Sequence, residues 1–309
     1  MTQAQSAPDA ARLQEIAADL IARAKSAGAD HAEASAAESR HTELSVRDGN
    51  LEDIERSESL DAGVRVFVGQ RQAGVAFSDL SKKGRQFTVE RAIAMAKAAP
   101  EDPFAALADP ERLCTNPPRL DLFEAVEWSP EELEAIANRV EKSARAIEGV
   151  TMTDTAFTSY GQGAAAYATT TGFNSGWRKS QFGYGASVIA GKDGAMERDY
   201  AATSARRGAD LKSPEEIGTE AGERTARRVG PQKIKSGVMP VVFDRRVATA
   251  FLSAFCGAIS GPSVARGVSF LRDRMGEKVF GDGIVIVDDP HRDWGHASCP
   301  FDGEGTVNA

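Results

Sequence analysis

The sequence predicts an α+β fold, antiparallel sheets with flanking helices, on three observations. Residues 1–99 run helix, several strands, helix, without the strict strand–helix alternation that a parallel sheet requires. Two later helices open on the same signal, Ser-Pro-Glu-Glu at 129–132 and at 213–216, which combines a Ser cap, Pro in the first turn and Glu at the capping-box position. Between them Val150–Arg207 is rich in Thr, Tyr, Phe and Gly, the composition of an antiparallel meander.

In chain order, Ser6–Asp9 has capping-box spacing, and Leu13, Ile16, Leu20, Ile21 and Ala24 make one apolar helical stripe that stops at Gly28. His41–Arg47 alternates as a strand, and Asp48-Gly49 is a turn into Leu51–Glu55. Gly63–Val68 and Gly74–Phe77 form a second hairpin around Gly69-Gln70. A helix over Gly84–Ala99 turns Val89, Ile93 and Ala96 inward until Pro100 halts it. Pro100, Pro103, Pro110, Pro117 and Pro118 make residues 100–128 an irregular connection that wraps a surface.

The helix after Ser129 buries Leu133, Ile136, Val140, Ala144 and Ile147 and ends at Gly149; the one after Ser213 ends at Gly230. Ala164–Thr171 and Trp177–Ala190 form a long hairpin through Gly172–Gly176, and Gly191–Gly194 turns the chain into Ala195–Ala205. Val238–Phe243 has the β-branched and aromatic residues of a buried strand. Asp244 caps a helix in which Val247, Phe251, Ala254, Phe255 and Ala258 share a buried face, and Gly261-Pro262 ends it. Gly283–Val287 is a last strand. Asp289–Ala309 has no regular pattern, and its Gly-rich end offers no element to dock, so the chain reads as part of a longer protein. The expected division is an N-terminal α+β unit at 1–118, a helix plus meander continuing it at 119–235, and an incomplete start of a β-rich C-terminal domain at 236–309.

Composition narrows the function classes. The chain of 309 residues is 41% hydrophobic and 27% charged, the balance of a soluble globular protein. A net charge of −8 argues against a direct nucleic-acid partner, which needs a basic surface. Cys114, Cys256 and Cys299 are odd in number and lack CxxC spacing, which fits a reducing cytoplasm. No signal peptide is evident, and Gly, Pro and Ser dilute Val247–Ala265 too far for a membrane span.

Three groups of residues are candidates for chemistry, and each has a plainer explanation. Cys256 lies mid-helix among Phe251, Phe255 and Ile259, with no cation or helix N-terminus to lower its pKa, so a buried inert thiol is favoured over a nucleophile. Asp288, Asp289, His291, Asp293 and His296 gather N and O donors, but in a loop without a spacing that imposes coordination. A polar turn is favoured there, and the role of Asp288, His291 and His296 stays open. His31, exposed after the Gly28 stop, and His41 have no readable partner. Gly69–Gly74 and Gly183-Tyr-Gly185 lack phosphate-loop context, and no GxSxG, HExxH or Walker motif occurs.

Leu44-Ser-Val-Arg-Asp-Gly-Asn-Leu-Glu52, Asp61-Ala-Gly-Val-Arg-Val66 and Gly74 together resemble the N-terminal signature of the TldD/PmbA family, also called modulators of DNA gyrase. Gly257-Ala-Ile-Ser-Gly261, Ser269-Phe-Leu271 and Pro300-Phe-Asp-Gly-Glu-Gly-Thr306 are similar to its PmbA (TldE) branch. The resemblance implies an α+β N-terminal domain, a β-rich C-terminal domain and a TldD–TldE heterodimer that is a cytoplasmic zinc peptidase, acting on unfolded proteins or peptides and in peptide maturation. In the TldD branch an HExxxH helix supplies zinc ligands and the general base. Here the corresponding helix reads Phe251-Leu-Ser-Ala-Phe-Cys-Gly-Ala258, with neither His nor Glu. No catalytic, cofactor-binding or metal residue is therefore assigned. The expectation is a non-catalytic PmbA/TldE-like subunit whose zinc sits in a TldD-like partner. The alternatives are a non-proteolytic binding protein that modulates DNA gyrase or a toxin–antitoxin system, and an independent hydrolase using Cys256 or His291 and His296.

Overall fold

The computed structural model describes residues 7–308. Six strands form one antiparallel sheet: β1 (His31–Arg47), β2 (Asn50–Val68), β3 (Arg71–Phe77), β4 (Val150–Thr169), β5 (Asn174–Ala190) and β6 (Glu197–Ala205), in the order β3-β2-β1-β4-β5-β6. Two meanders are thus joined where β1 pairs with β4, Glu33 opposite Thr169 through Val46 opposite Ala156. Asp48 and Gly49 turn β1 into β2 with φ of 53° and 75°, the left-handed pair that a two-residue hairpin needs.

The strands run further than their local composition suggests. β1 starts at His31 instead of His41 because Ala32, Ala34 and Ala36 alternate into the core; alanine is a weak strand signal, and burial decides the matter. β2 is continuous through Arg56–Ser59, polar residues that β1 holds extended by pairing.

Four helices cover one face of the sheet: α1 (Ala10–Ser26), α2 (Lys82–Ala98), α3 (Pro130–Arg145) and α4 (Pro214–Ala226). Asp9 caps α1, accepting from the Ala11 and Arg12 amides; Ser6, the other half of the expected capping box, lies outside the described residues. Ser81 caps α2 through the Gly84 amide, so this helix starts before Gly84. A Cβ at Gly84 would lie 2.2 Å from the Asp79 carbonyl oxygen, which explains the glycine as a close approach. Both Ser-Pro-Glu-Glu segments form complete capping boxes, on α3 and α4. Gly218 and Gly222 let α4 lie against α3, since a Cβ at either would come within 2.2 and 2.6 Å of the Val140 and Ala144 carbonyl oxygens.

The core has two parts. Leu13, Leu20 and Ile21 of α1 and Val89 and Ile93 of α2 pack over Ala34, Val64, Val66 and Ala166. Leu133, Val140 and Ile217 of α3 and α4 pack over Leu44, Val46, Tyr184 and Val188. Glu141 of α3 is buried, and its carboxylate accepts the Asp48 and Gly49 amides at 2.8 Å each, clamping the β1–β2 turn.

Residues 100–128 are irregular apart from a 3-10 turn at Pro110–Arg112. They carry the Leu113–Thr306 bridge to the end of the chain. Residues 289–308, although irregular, dock on the same unit: Phe301 is 1% exposed and packs edge-on against Phe173 and Trp177. The expectation of an undocked Gly-rich end is overturned, because an aromatic anchor and the Cys114 amide to Gly305 oxygen bond (2.8 Å) replace regular structure.

Residues 231–288 form a second unit. Here the structure corrects the sequence reading. Val238–Phe243 and Gly283–Val287 are not strands, since an extended run becomes a strand only against a partner backbone, and none is paired with them among the described residues. Asp244 caps α5 (Arg245–Ile259) as expected, through the Arg246 amide. The helix is not buried: Ala258 alone of its residues is, while Val247, Phe251, Leu252 and Ile259 are exposed. It ends at Ile259, and Pro262 lies in the first turn of a short α6 (Gly261–Ala265), whose open N-terminal turn tolerates the missing N–H.

Candidate functional site

The sheet face opposite the helices is the candidate site. Strand alternation puts every second residue of β1 there: His31, Glu33, Ser35, Ala37, Ser39, His41 and Glu43. The register extends these residues into rows across the sheet. One row is Ser57, His41, Gly161 and Gln181; the next is Ser59, Ser39, Gly163 and Lys179; a third is Glu55, Glu43, Ser159 and Gly183. The glycines are a consequence of strand crowding. A Cβ at Gly185 would lie 2.7 Å from the Ala201 carbonyl oxygen, one at Gly183 3.2 Å from that of Thr203, and one at Gly161 3.3 Å from that of Arg40. The floor is therefore bare backbone, edged by polar side chains.

Ser39, His41, Ser159, Gly161, Gly163 and Lys179 border a shallow cleft of about 240 Å³ on this face. His41 is exposed, its ring lies over Gly161, and its Nε2 is 3.8 Å from a Glu43 oxygen. The Ser39 and Ser59 hydroxyls bond each other at 2.9 Å. The two serines are thus paired to each other and not to a base.

Towards one end the face is closed. The Tyr167 hydroxyl donates to Glu33 at 2.7 Å, and Arg65 grips the same carboxylate through two bonds of 2.7 and 2.9 Å. Burial first, then the hydrogen bond to Glu33, pushes the Tyr167 hydroxyl well above the usual phenol range. Tyr167 also packs with Phe173, Cys114 and Phe301, so residues 110–117 and 299–306 cover this end.

The Asp288–His296 group disperses. His296 Nε2 lies 3.2 Å from the Ser204 carbonyl oxygen on the outer side of β6, and His291 Nε2 lies 3.4 Å from Asn308 Nδ2. Asp293 accepts the Asp121 amide at 3.0 Å. These contacts tie the last segment to the first unit. Buried Arg206 does the same, donating to the carbonyls of Ser180, Gly295 and His296. Cys256, read from sequence as buried, is exposed. Among the described residues no group of three or more His, Cys, Asp or Glu side chains is placed to hold a metal ion. The α5 segment Phe251–Ala258 has a lone thiol as its donor set, which does not fit a zinc ion. No described helix is long and apolar enough to cross a membrane. Lys179, Gln181 and the glycine rows were missed in the sequence reading; the legible signal was the Gly-x-Gly spacing at 161–163 and 183–185, strand period on one face.

Three segments match successive parts of one family: residues 32–96 match the PmbA/TldA metallopeptidase domain 1, 124–229 its central domain and 236–309 its C-terminal domain. The chain belongs to the PmbA/TldD metallopeptidase family. It is 33% identical to the metalloprotease PmbA of Escherichia coli O157:H7 over 295 residues, covering 95% of this chain and 66% of that protein. It is 32% identical to the PmbA homologue of Haemophilus influenzae over 263 residues, 85% of this chain and 58% of that one. The chain thus spans less than two thirds of the length of these relatives.

Solved structures share the fold. A protein named as a modulator of DNA gyrase from Bacteroides thetaiotaomicron superposes with a TM-score of 0.89 at 22% identity, over 96% of this chain and 68% of that one. TldE from Thermococcus kodakarensis does so with 0.79 at 18%, over 95% and 66%.

Proposed function

We propose that this chain is the PmbA/TldE-like subunit of a cytoplasmic zinc metallopeptidase, with the zinc held by a TldD-like partner. One observation carries the reading: a chain 33% identical to a PmbA metalloprotease has a helix, α5, with neither His nor Glu over Phe251–Ala258. A metallopeptidase needs imidazole or carboxylate ligands and a base to activate water, and these come from the other subunit. The contribution of this chain is the Gly- and Ser-lined sheet face, which holds a peptide or unfolded segment extended by polar contacts. Three free thiols, at Cys114, Cys256 and Cys299, suit a reducing compartment.

The test is co-expression with a TldD-like protein, followed by metal analysis and peptide-cleavage assays on the complex and on each chain alone. Stoichiometric zinc and cleavage are expected in the complex, with this chain alone holding no zinc and cutting nothing. Stoichiometric zinc with cleavage by this chain alone would overturn the proposal, and so would the lack of any complex.

A further inference from the structure

Every residue that lines the cleft of about 240 Å³ belongs to the first unit, and the ionisable groups among them are all basic. Arg40, His41, Lys179 and Arg206 border it and, among the described residues, no Asp or Glu does, in a chain whose net charge is −8. Two of the four already face carboxylates: Arg40 Nη2 bonds Glu38 at 3.0 Å, and His41 Nε2 is 3.8 Å from Glu43. Lys179 and Arg206 form no ion pair among the described residues.

Arg206 is the more telling of the two. It is 6% exposed, and its Nε, Nη1 and Nη2 donate to the carbonyl oxygens of Gly295, Ser180 and His296, at 3.4 and 3.1 Å for the first two. A guanidinium carries five N–H groups, so these three bonds leave two without an acceptor. Carbonyls satisfy the hydrogen bonds but do not neutralise the charge, and a buried charge is ordinarily paired. Burial alone pulls the pKa of this group down, as expected where no carboxylate offsets the cost.

Lys179 is exposed, and its stem runs over bare backbone: a Cβ at Gly163 would lie 4.0 Å from its Cγ and Cε. With only hydrogen at Gly161 and Gly163, a ligand can approach the strands closely beside the two cations. The volume suits a carboxylate with the residue that carries it, since one water takes about 30 Å³. A polyanion is disfavoured by the net charge.

We propose that this cleft binds a carboxylate of an extended peptide, held between Lys179 and the remaining N–H groups of Arg206, with Gly161 and Gly163 beneath it. The proposal rests on the reading of the sheet face as the surface that receives the peptide, and it names what that face recognises. The C-terminus of a chain and an Asp or Glu side chain offer the same group to the cleft.

The experiment uses the whole chain, without partner or metal, and three N-acetylated pentapeptides of alanine and serine. One has a free C-terminal carboxylate, one is its C-terminal amide, and one is that amide with a central glutamate. Binding is followed by NMR titration of the Gly161, Gly163 and Gln181 amides. A carboxylate peptide is expected to shift these amides and to bind about tenfold more tightly than the neutral amide, the effect of one charge-assisted hydrogen bond. Tight binding by the free acid alone assigns the carboxylate to a C-terminus; tight binding by the glutamate peptide assigns it to a side chain; either supports the proposal. Lys179→Ala should weaken binding about threefold and Lys179→Glu about tenfold, with circular dichroism unchanged, and Lys179→Arg should restore it. Equal affinity of the neutral amide and both carboxylate peptides would overturn the proposal. So would undiminished binding by Lys179→Glu, and so would the absence of any shift at these amides. Zinc content and cleavage by the complex with a TldD-like protein report the subunit reading separately: a complex that forms and cuts, with a cleft indifferent to carboxylates, would leave that reading intact and remove this one.

Discussion

Replacing Glu141 by alanine tests whether one buried carboxylate holds the β1–β2 hairpin in place. The side chain is 3% exposed and accepts two backbone amides, from Asp48 and Gly49, at 2.8 Å each. A hydrogen bond to a charged group contributes about 1.5–3 kcal/mol. Both donors are on one turn and meet one carboxylate, so their contributions overlap. Asp48 and Gly49 are themselves exposed, so water can partly replace the lost acceptor. Glu141→Ala should then cost about 2–4 kcal/mol, and Glu141→Gln, which keeps one carbonyl acceptor, about 1–2 kcal/mol. Arg145→Ala is the control: it removes an exposed ion pair to Asp48 on the same turn and should cost at most about 1 kcal/mol. The assay is urea unfolding combined with amide hydrogen exchange at Asp48 and Gly49. If Glu141→Ala left both the midpoint and the exchange of these two amides unchanged, or matched Arg145→Ala, the clamp would have no role in stability.

Three further outcomes are expected. Gly218→Ala would place a Cβ 2.2 Å from the Val140 carbonyl oxygen, forcing α4 off α3 at about 1–3 kcal/mol, measurable as a lowered Tm. Arg206→Met removes the donor to Ser180, Gly295 and His296, and limited proteolysis should then cut within 289–308 before the sheet unfolds. Burial, then Glu127, pushes Tyr160 up to about 12, from an ordinary value of 10.0; burial, then Glu33, raises Tyr167 further still. A raised phenol contributes stability that is whole below the unfolded pKa and is lost as pH rises through the folded one. Stability should therefore fall from about pH 10 upward, and Tyr167→Phe should flatten that loss in alkaline denaturation curves; an unchanged slope would count against the Glu33 bond.

The correct expectations were those backed by local chemistry. The capping boxes at Ser129 and Ser213 formed because a hydroxyl, a carboxylate and the amides they satisfy lie within four consecutive residues. The Asp48-Gly49 turn formed because these residues tolerate the left-handed backbone. The failures were of another kind. Val238–Phe243 has strand composition, yet a strand is a relation between two backbones. Cys256 has apolar neighbours in sequence, but burial depends on what packs over them. The dense Asp288–His296 cluster dissolves because its donors face different partners along the docked segment.

The candidate site was legible only in part. Gly161, Gly163, Gly183 and Gly185 mark a face by their spacing. That they align with Ser39, His41, Lys179 and Gln181 depends on β1 pairing with β4, residues more than a hundred positions apart. The sequence by itself determined the α+β class, the caps and turns, the family signatures and the absence of His and Glu from α5, since each depends on residue identity or on bonds spanning a few positions. Tertiary structure alone decided the strand order, the docking of Phe301 and the clamp at Glu141. These rest on which distant backbones and side chains meet, and free energy of that kind belongs to pairs of segments, not to either segment read alone.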